Sequence, residues 1–187
     1  MTASDVRRTP GQAAMWVFVL GDMVIFGGWF AFYILNRAHH RELFLQSQRE
    51  LSQNFGAINT LALLTSSWLI ALCVQAARER KFEKARACTF GAFAFGLFFV
   101  GSKLFEWSHK IAHGFVLETN DFFKFYYFLT GVHVFHVLIG FIALSVIIRE
   151  LSVPEFRSQE VVETGATYWH MVDFLWVMIF ALLYLMR

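Results

Sequence analysis

The chain has 187 residues, of which 57% are hydrophobic and 16% charged, with 23 Phe and only 2 Pro, a usage far from that of a water-soluble domain. A formal charge of +2 with scattered Lys and Arg leaves no electrostatic footprint for nucleic acid. Cys73 and Cys88 both fall in apolar runs, where a thiol acts as a small hydrophobe, so neither a disulfide framework nor redox chemistry is indicated.

The polar start "MTASDVRRTPGQ" is followed by an apolar run too long and wrongly flanked for a cleavable signal peptide, so the first hydrophobic segment is expected to stay. Five runs are long enough for the roughly 20 residues that cross a bilayer core as helix. The first, Ala13 to Asn36, is interrupted only by Asp22, and the second, Phe55 to Ala77, carries no charge. The third, Arg86 to Trp107, has Lys103 and Glu106 near its far end, and the fourth, Phe125 to Ile148, contains His133 and His136. The fifth, Val161 to Met186, contains Glu163, His170 and Asp173. Short charged connections separate them, with Pro154 in the last, and no segment is long enough for a separate soluble domain. Residues 1–187 are therefore read as one all-α, polytopic membrane domain of five helices, since backbone polar groups in lipid must be satisfied within helices or a closed barrel.

Lys and Arg set the orientation. The N-terminus with the second and fourth connections holds Arg7, Arg8, Arg78, Arg80, Lys81, Lys84, Arg86, Arg149 and Arg157, against Arg37, Arg41, Arg49, Lys103, Lys110, Lys124 and Arg187 on the other side. The positive-inside rule then places the N-terminus in the cytoplasm and the C-terminus outside.

Polar groups inside the spans are costly unless they face the bundle interior, a partner or water. The candidates are Asp22, Glu106, His133, His136, Glu163, His170 and Asp173. His133 with His136, and His170 with Asp173, stand at i, i+3, while Glu163 lies two turns before His170, so each group can look the same way. With the fourth and fifth helices antiparallel, His136 and Asp173 share a depth, and a hydrogen bond between them is expected. Asp22 is expected to face a partner subunit or a headgroup-lined cleft. A structural interhelical hydrogen bond is the first reading of any one histidine, ahead of ligation. Glu106-Trp-Ser-His109 does spell the Glu-x-x-His of carboxylate-bridged metal bundles, and His109 with His113 stands at i, i+4. The aromatic stretches "FAFGLFFVG" and "DFFKFYYF" are read as lipid-facing packing and interfacial anchoring, and the small residues of "GDMVIFGG" and "TFGAFAFG" as places of close helix approach, within the bundle or on a larger subunit.

Several of these stretches together resemble one family. "TGVHVFHVLIG" is similar to the TGxHxxHVxxG of subunit III of the haem-copper terminal oxidases, and "YWHMVDFLWVMIF" to its YWHFVDxxWxxxF. Glu163 stands seven residues before His170, where that family places a glutamate, and "LFEW" occupies the place of its YEY-like element. Where the family has a glutamate in a "SELMFF"-like stretch, this chain has "GDMVIF", with Asp22 one methylene shorter. Five helices match the bacterial short form, and "FLQSQRELSQNFGAINTLALLTSSW" resembles the NorE-like branch, named for its association with nitric oxide reductase.

The resemblance implies an accessory, non-catalytic subunit of the bacterial cytoplasmic membrane that binds no metal or other cofactor itself. Such a subunit packs on a catalytic haem-containing subunit carrying haem and copper or iron, holds phospholipid and supports proton uptake. The residues agree with the missing redox centre, because seven His, two of them the adjacent His39 and His40, are too few for a haem-copper site. Two other readings remain open at this stage. One is a membrane metal enzyme built on the Glu, His and Asp residues; the other is a small proton channel or transporter using them as a relay.

Overall fold

All five predicted spans are helical in the computed structural model, which describes residues 11–155 and 157–186. Helix α1 runs Ala13–His39, α3 Gln53–Arg78, α4 Phe82–Ala112, α5 Asp121–Ser152 and α6 Gln159–Phe180, each long and apolar enough to cross a membrane. Arg7, Arg8 and Arg187, used in the charge count, lie outside the described residues. The helices overrun their apolar cores because polar turns such as "FEK" and "SHKIA" continue the hydrogen-bond ladder beyond the apolar stretch.

One connection is not a loop. Arg41–Arg49 forms a short helix, α2, whose Phe44, Ser47 and Gln48 succeed one another on one buried face, with Glu42 in its first turn and Arg49 in its last, as the helix dipole favours. Phe44 packs its ring against Tyr33, Phe122 and Phe125. That cluster also corrects the reading of "DFFKFYYF" as a lipid-facing stretch. Phe122, Phe123 and Tyr126 are fully buried, and only residues such as Phe128 turn outward.

Helix α6 is the hub, packed on α3, α5 and α1, and 61% of its most apolar window is buried where the other four spans reach at most 33%. Trp169 shows how close approach is achieved. A Cβ on Gly140 of α5 would lie 2.7 Å from its ring, and one on Gly96 of α4 would lie 2.9 Å from it, so glycine at both places lets the indole fill the bundle centre. Its Nε1 donates to Ser66 Oγ of α3 (3.0 Å), and that hydroxyl donates to the Ala92 carbonyl of α4 (2.9 Å). By contrast, a Cβ on Gly21, Gly27 or Gly28 of α1 would meet nothing within 4 Å, so "GDMVIFGG" presents its small residues outward.

At its end α6 widens into a π-helical turn, Ala181–Leu185. A helix terminus leaves its last carbonyls without intrahelical donors. Here three of them are met by side chains: Tyr33 Oη donates to the Leu182 carbonyl (3.2 Å), Gln48 Nε2 to Leu183 (2.9 Å) and Gln53 Nε2 to Tyr184 (2.9 Å). Arg37, only 8% exposed, completes the set by donating to Gln48 Oε1. Helices α1, α2 and α3 are thus pinned to the C-terminal turn.

At the opposite end α3 stops in a Schellman motif. Lys81 N–H reaches the Ala76 carbonyl (2.8 Å) and Arg80 N–H the Ala77 carbonyl (3.0 Å), with Arg80 at φ 58°. That left-handed position favours glycine, and an arginine there costs about 1 kcal/mol. Beside it, Lys81 holds the Glu79 carboxyl below the usual carboxylate range through an ion pair of 2.7 Å.

Candidate functional site

The seven polar residues singled out in the spans do not form one cluster. Four separate arrangements hold five of them, with His133 and Asp173 outside all four, and the deepest is centred on a cation that its sequence position assigns to the membrane surface.

Lys103 of α4 is 0% exposed. Its Nζ lies 2.7 Å from Glu106 Oε2, one turn along the same helix, and donates to Tyr184 Oη (2.9 Å) and, more weakly, to Tyr126 Oη (3.5 Å). Tyr184 Oη in turn donates to Glu106 Oε1 (2.7 Å), closing a ring of charge-assisted bonds. The rings of Tyr126, Trp176 and Tyr184 each stand 5.1–5.5 Å from the ammonium, close enough for cation–π attraction. Two opposite charges at i, i+3 in an apolar span were the available sequence signal for this pair. The tyrosines come from α5 and the C-terminal turn, which only the fold brings together. Glu106 therefore faces an ammonium, while His109 is exposed and stacks on His113 at 4.3 Å, so the Glu-x-x-His spacing does not converge on a common point. Among the described residues no three His, Cys, Asp or Glu side chains gather as metal ligands.

Asp22 and His136 form the second arrangement. Asp22 Oδ2 lies 3.2 Å from His136 Nε2, a close polar contact without the alignment of a good hydrogen bond, while Nδ1 of the same ring lies 2.8 Å from the Val132 carbonyl. Phe26 of α1 packs edge-on against that imidazole. Two expectations are corrected here. Asp22 turns inward to a histidine of its own chain instead of a cleft for another molecule, and His136 is matched to Asp22 instead of Asp173. The reason is angular. Residues three apart on a helix diverge by about 60° at 3.6 residues per turn, so with His133 aimed at the bundle centre His136 swings toward α1.

His133 is fully buried against Phe99 and Trp176, with ring centroids 5.4 and 5.2 Å away. His170 takes the third arrangement, its Nδ1 lying 2.6 Å from Ser67 Oγ of α3. Asp173 lies one turn on and is 3% exposed, its carboxyl close to the same Ser67 hydroxyl; neither of its oxygens, nor either nitrogen of His133, makes a hydrogen bond of good geometry among the described residues. Asn59 of α3 is buried in the same condition and was not singled out, since an amide in an apolar run carries no charge signal.

Glu163 anchors the fourth arrangement at the end of the bundle. Its Oε1 accepts from Arg78 Nε (3.0 Å) and Nη2 (2.8 Å) and from Gln159 Nε2 (2.9 Å), and its Oε2 accepts from the Gly11 N–H (3.4 Å). Glu163 and His170 do share a face, both lining a small cavity with Arg78 and Thr167.

Four charged or hydrogen-bonded pairs set between the helices of a five-span bundle define a polytopic membrane protein whose interior polar groups mostly satisfy one another. The sequence matches the cytochrome c oxidase subunit III family over residues 10–187. It is 33% identical over 175 residues to cytochrome c oxidase subunit 3 of Thermostichus vulcanus, covering 91% of this chain and 84% of that protein. It is 28% identical over 173 residues to a probable cytochrome c oxidase subunit 3 of Mycobacterium tuberculosis, covering 91% and 85%. A third relative, haem-copper oxidase subunit I+III of Aeropyrum pernix, is 28% identical over 183 residues, 93% of this chain and 22% of that longer protein. The chain belongs to the cytochrome c oxidase subunit III family.

Proposed function

We propose that this chain is the accessory membrane subunit of a haem-copper oxidase, stabilising the catalytic subunit without holding a redox centre of its own. The observation that carries the reading is the subunit III match over residues 10–187, together with the way the buried Glu106 and the half-buried Asp22, Glu163 and His170 are engaged by Lys103, His136, Arg78 and Ser67. A relative that unites subunits I and III in one protein supports a catalytic haem-containing subunit as the partner. The outward line Val17, Gly21, Val24 and Gly28 of α1 suits close docking on it, because small residues let helix backbones approach.

Finer parts of the reading rest on particular residues. Asp22 in "GDMVIF" and the five-helix form favour the NorE-like branch, with a nitric oxide reductase as the second candidate partner. Orientation follows from charge: with Arg37 and Lys103 buried, the bias toward the end bearing Arg78, Arg80, Lys81 and Lys84 grows, which puts the N-terminus in the cytoplasm of a bacterial inner membrane. The Asp22–His136 contact, at the tenth of the 27 residues of α1 and 14% and 12% exposed, is the group through which the subunit supports proton uptake.

Cells lacking the chain, and cells expressing it as Asp22→Asn, test this. Deletion is expected to leave the partner's haem absorption intact while its activity decays sooner during turnover. Asp22→Asn should assemble normally yet shift the pH dependence of sustained turnover. Unchanged turnover in the deletion strain would remove the accessory role, and an unshifted pH profile would reduce Asp22 to packing.

A further inference from the structure

A cavity of about 560 Å³ opens at the end of the bundle between the α3–α4 and α5–α6 connections, a volume that suits a small molecule. Ala77, Leu151 and Val162 on its wall are buried where α3, α5 and α6 pack together, so its apolar side is closed toward the span and its mouth faces water. Three arginines, Arg78, Arg80 and Arg157, line it, and no carboxylate does.

The nearby acids are engaged with other groups. Glu163 accepts from Arg78 and Gln159, Glu79 pairs with Lys81, Glu83 with Arg86, and Glu150 accepts from the Ser158 N–H. Arg78 commits Nε and Nη2 to Glu163, which leaves its Nη1 for another acceptor. Neither Arg80 nor Arg157 has an ion-pair partner among the described residues. Arg157 is fixed all the same. Its guanidinium lies 3.9 Å from the centre of the Phe82 ring, which covers one face of the fork while the side chain stays exposed on the other. Arg80, at the left-handed position that ends α3, carries its side chain off the helix and onto the same wall.

We propose that this cavity binds a nucleoside di- or triphosphate from the aqueous side, with Arg80 and the free edge of Arg78 on the phosphates and the base stacked on the Arg157 guanidinium. Guanidinium forks match phosphate oxygens, and two unpaired arginines beside a neutralised third supply the charge that a polyphosphate requires. A guanidinium plane backed by an aromatic ring is a stacking platform for a flat base. The Ser158 hydroxyl and Gln159 amide on the same wall can meet the sugar. Inorganic phosphate shares the anion chemistry but makes no use of the Phe82–Arg157 stack, and an acyl chain finds no path past the packed Ala77, Leu151 and Val162. With the N-terminus in the cytoplasm this end meets the compartment in which such anions are made, and binding to the purified chain does not depend on that orientation.

Thermal unfolding of the purified full chain in mild non-ionic detergent, titrated with ATP, pyrophosphate, adenosine or phosphatidylglycerol, separates the outcomes. ATP should raise the Tm of the wild type saturably, pyrophosphate should do so only at higher concentration, and adenosine and phosphatidylglycerol should do little. The double variant Arg80→Ala, Arg157→Ala, which alters only exposed side chains, should need roughly tenfold more ATP for the same shift. Arg157→Lys keeps the charge but loses the plane, so its ATP response should fall toward that of pyrophosphate while its pyrophosphate response stays near wild type. Lys84→Ala, an exposed cation off the cavity wall, should respond as wild type does. No saturable ATP response, an equal one in the double variant, or an equal loss in Lys84→Ala would overturn the site. A pyrophosphate response as strong as that to ATP would overturn the nucleotide assignment, and one to phosphatidylglycerol as strong would overturn a water-borne ligand.

Discussion

Replacing Lys103 with Met is expected to destabilise the chain by about 3–5 kcal/mol, the cost of stranding a buried carboxylate without its counter-charge. Glu106 is 5% exposed and, besides the Lys103 ammonium, accepts from the Tyr184 hydroxyl. Glu106→Leu alone should cost a similar amount, because it strands the ammonium. The double replacement, Lys103→Met with Glu106→Leu, is expected to recover most of the loss, since two apolar groups of similar volume leave no unpaired charge among Tyr126, Trp176 and Tyr184. Unfolding of the purified chain in detergent measures all three. Additive losses in the double variant would show that the two charges act independently and would remove the ring of bonds as the element tying α4 to the C-terminal turn.

Trp169→Ala is expected to cost a comparable 3–5 kcal/mol, the usual range for emptying the space of a large buried aromatic. The indole is fully buried, fills the space opened by Gly96 and Gly140, and holds the Ser66 hydroxyl that bridges α3 to α4. Trp169→Phe should lose less, keeping most of the volume while giving up the Nε1 bond at about 1 kcal/mol. Loss of Tm on that ordering, Ala beyond Phe, is the expected result. If Phe proved as damaging as Ala, the hydrogen bond to Ser66, not the packing, would be the main contribution of the residue.

The spans were legible because each is a long apolar run with few charges inside it and charged connections at its ends, and their number needed nothing more. Helix α2 was not, since nine residues with three charges, Arg41, Glu42 and Arg49, carry too short a periodicity to outweigh their polarity. The site was legible in part. Residue types and depths pointed to Asp22, Glu106, His133, His136, Glu163, His170 and Asp173, and the family's longest motifs pointed to the fourth and fifth spans. Their partners were not readable, because pairing depends on how far each helix is rotated. A 60° divergence between His133 and His136 sent one to the bundle centre and the other to α1. The role of Lys103 was not readable, because a lysine near a span end is normally solvated, and only its i, i+3 relation to Glu106 marks it as half of an interior pair.

The proposed accessory role makes the chain a component of a larger membrane complex. The most direct measurement is to extract the membrane in mild detergent, recover the tagged full-length chain, and record haem absorption and elemental metal content of what is recovered. The account expects the chain to migrate with a larger polytopic haem-containing subunit, with the haem lost when that subunit is stripped away and no iron, copper or zinc left on this chain. Recovery of the chain free of any haem subunit, carrying stoichiometric metal that disappears when Glu106 or His133 is replaced, would contradict it.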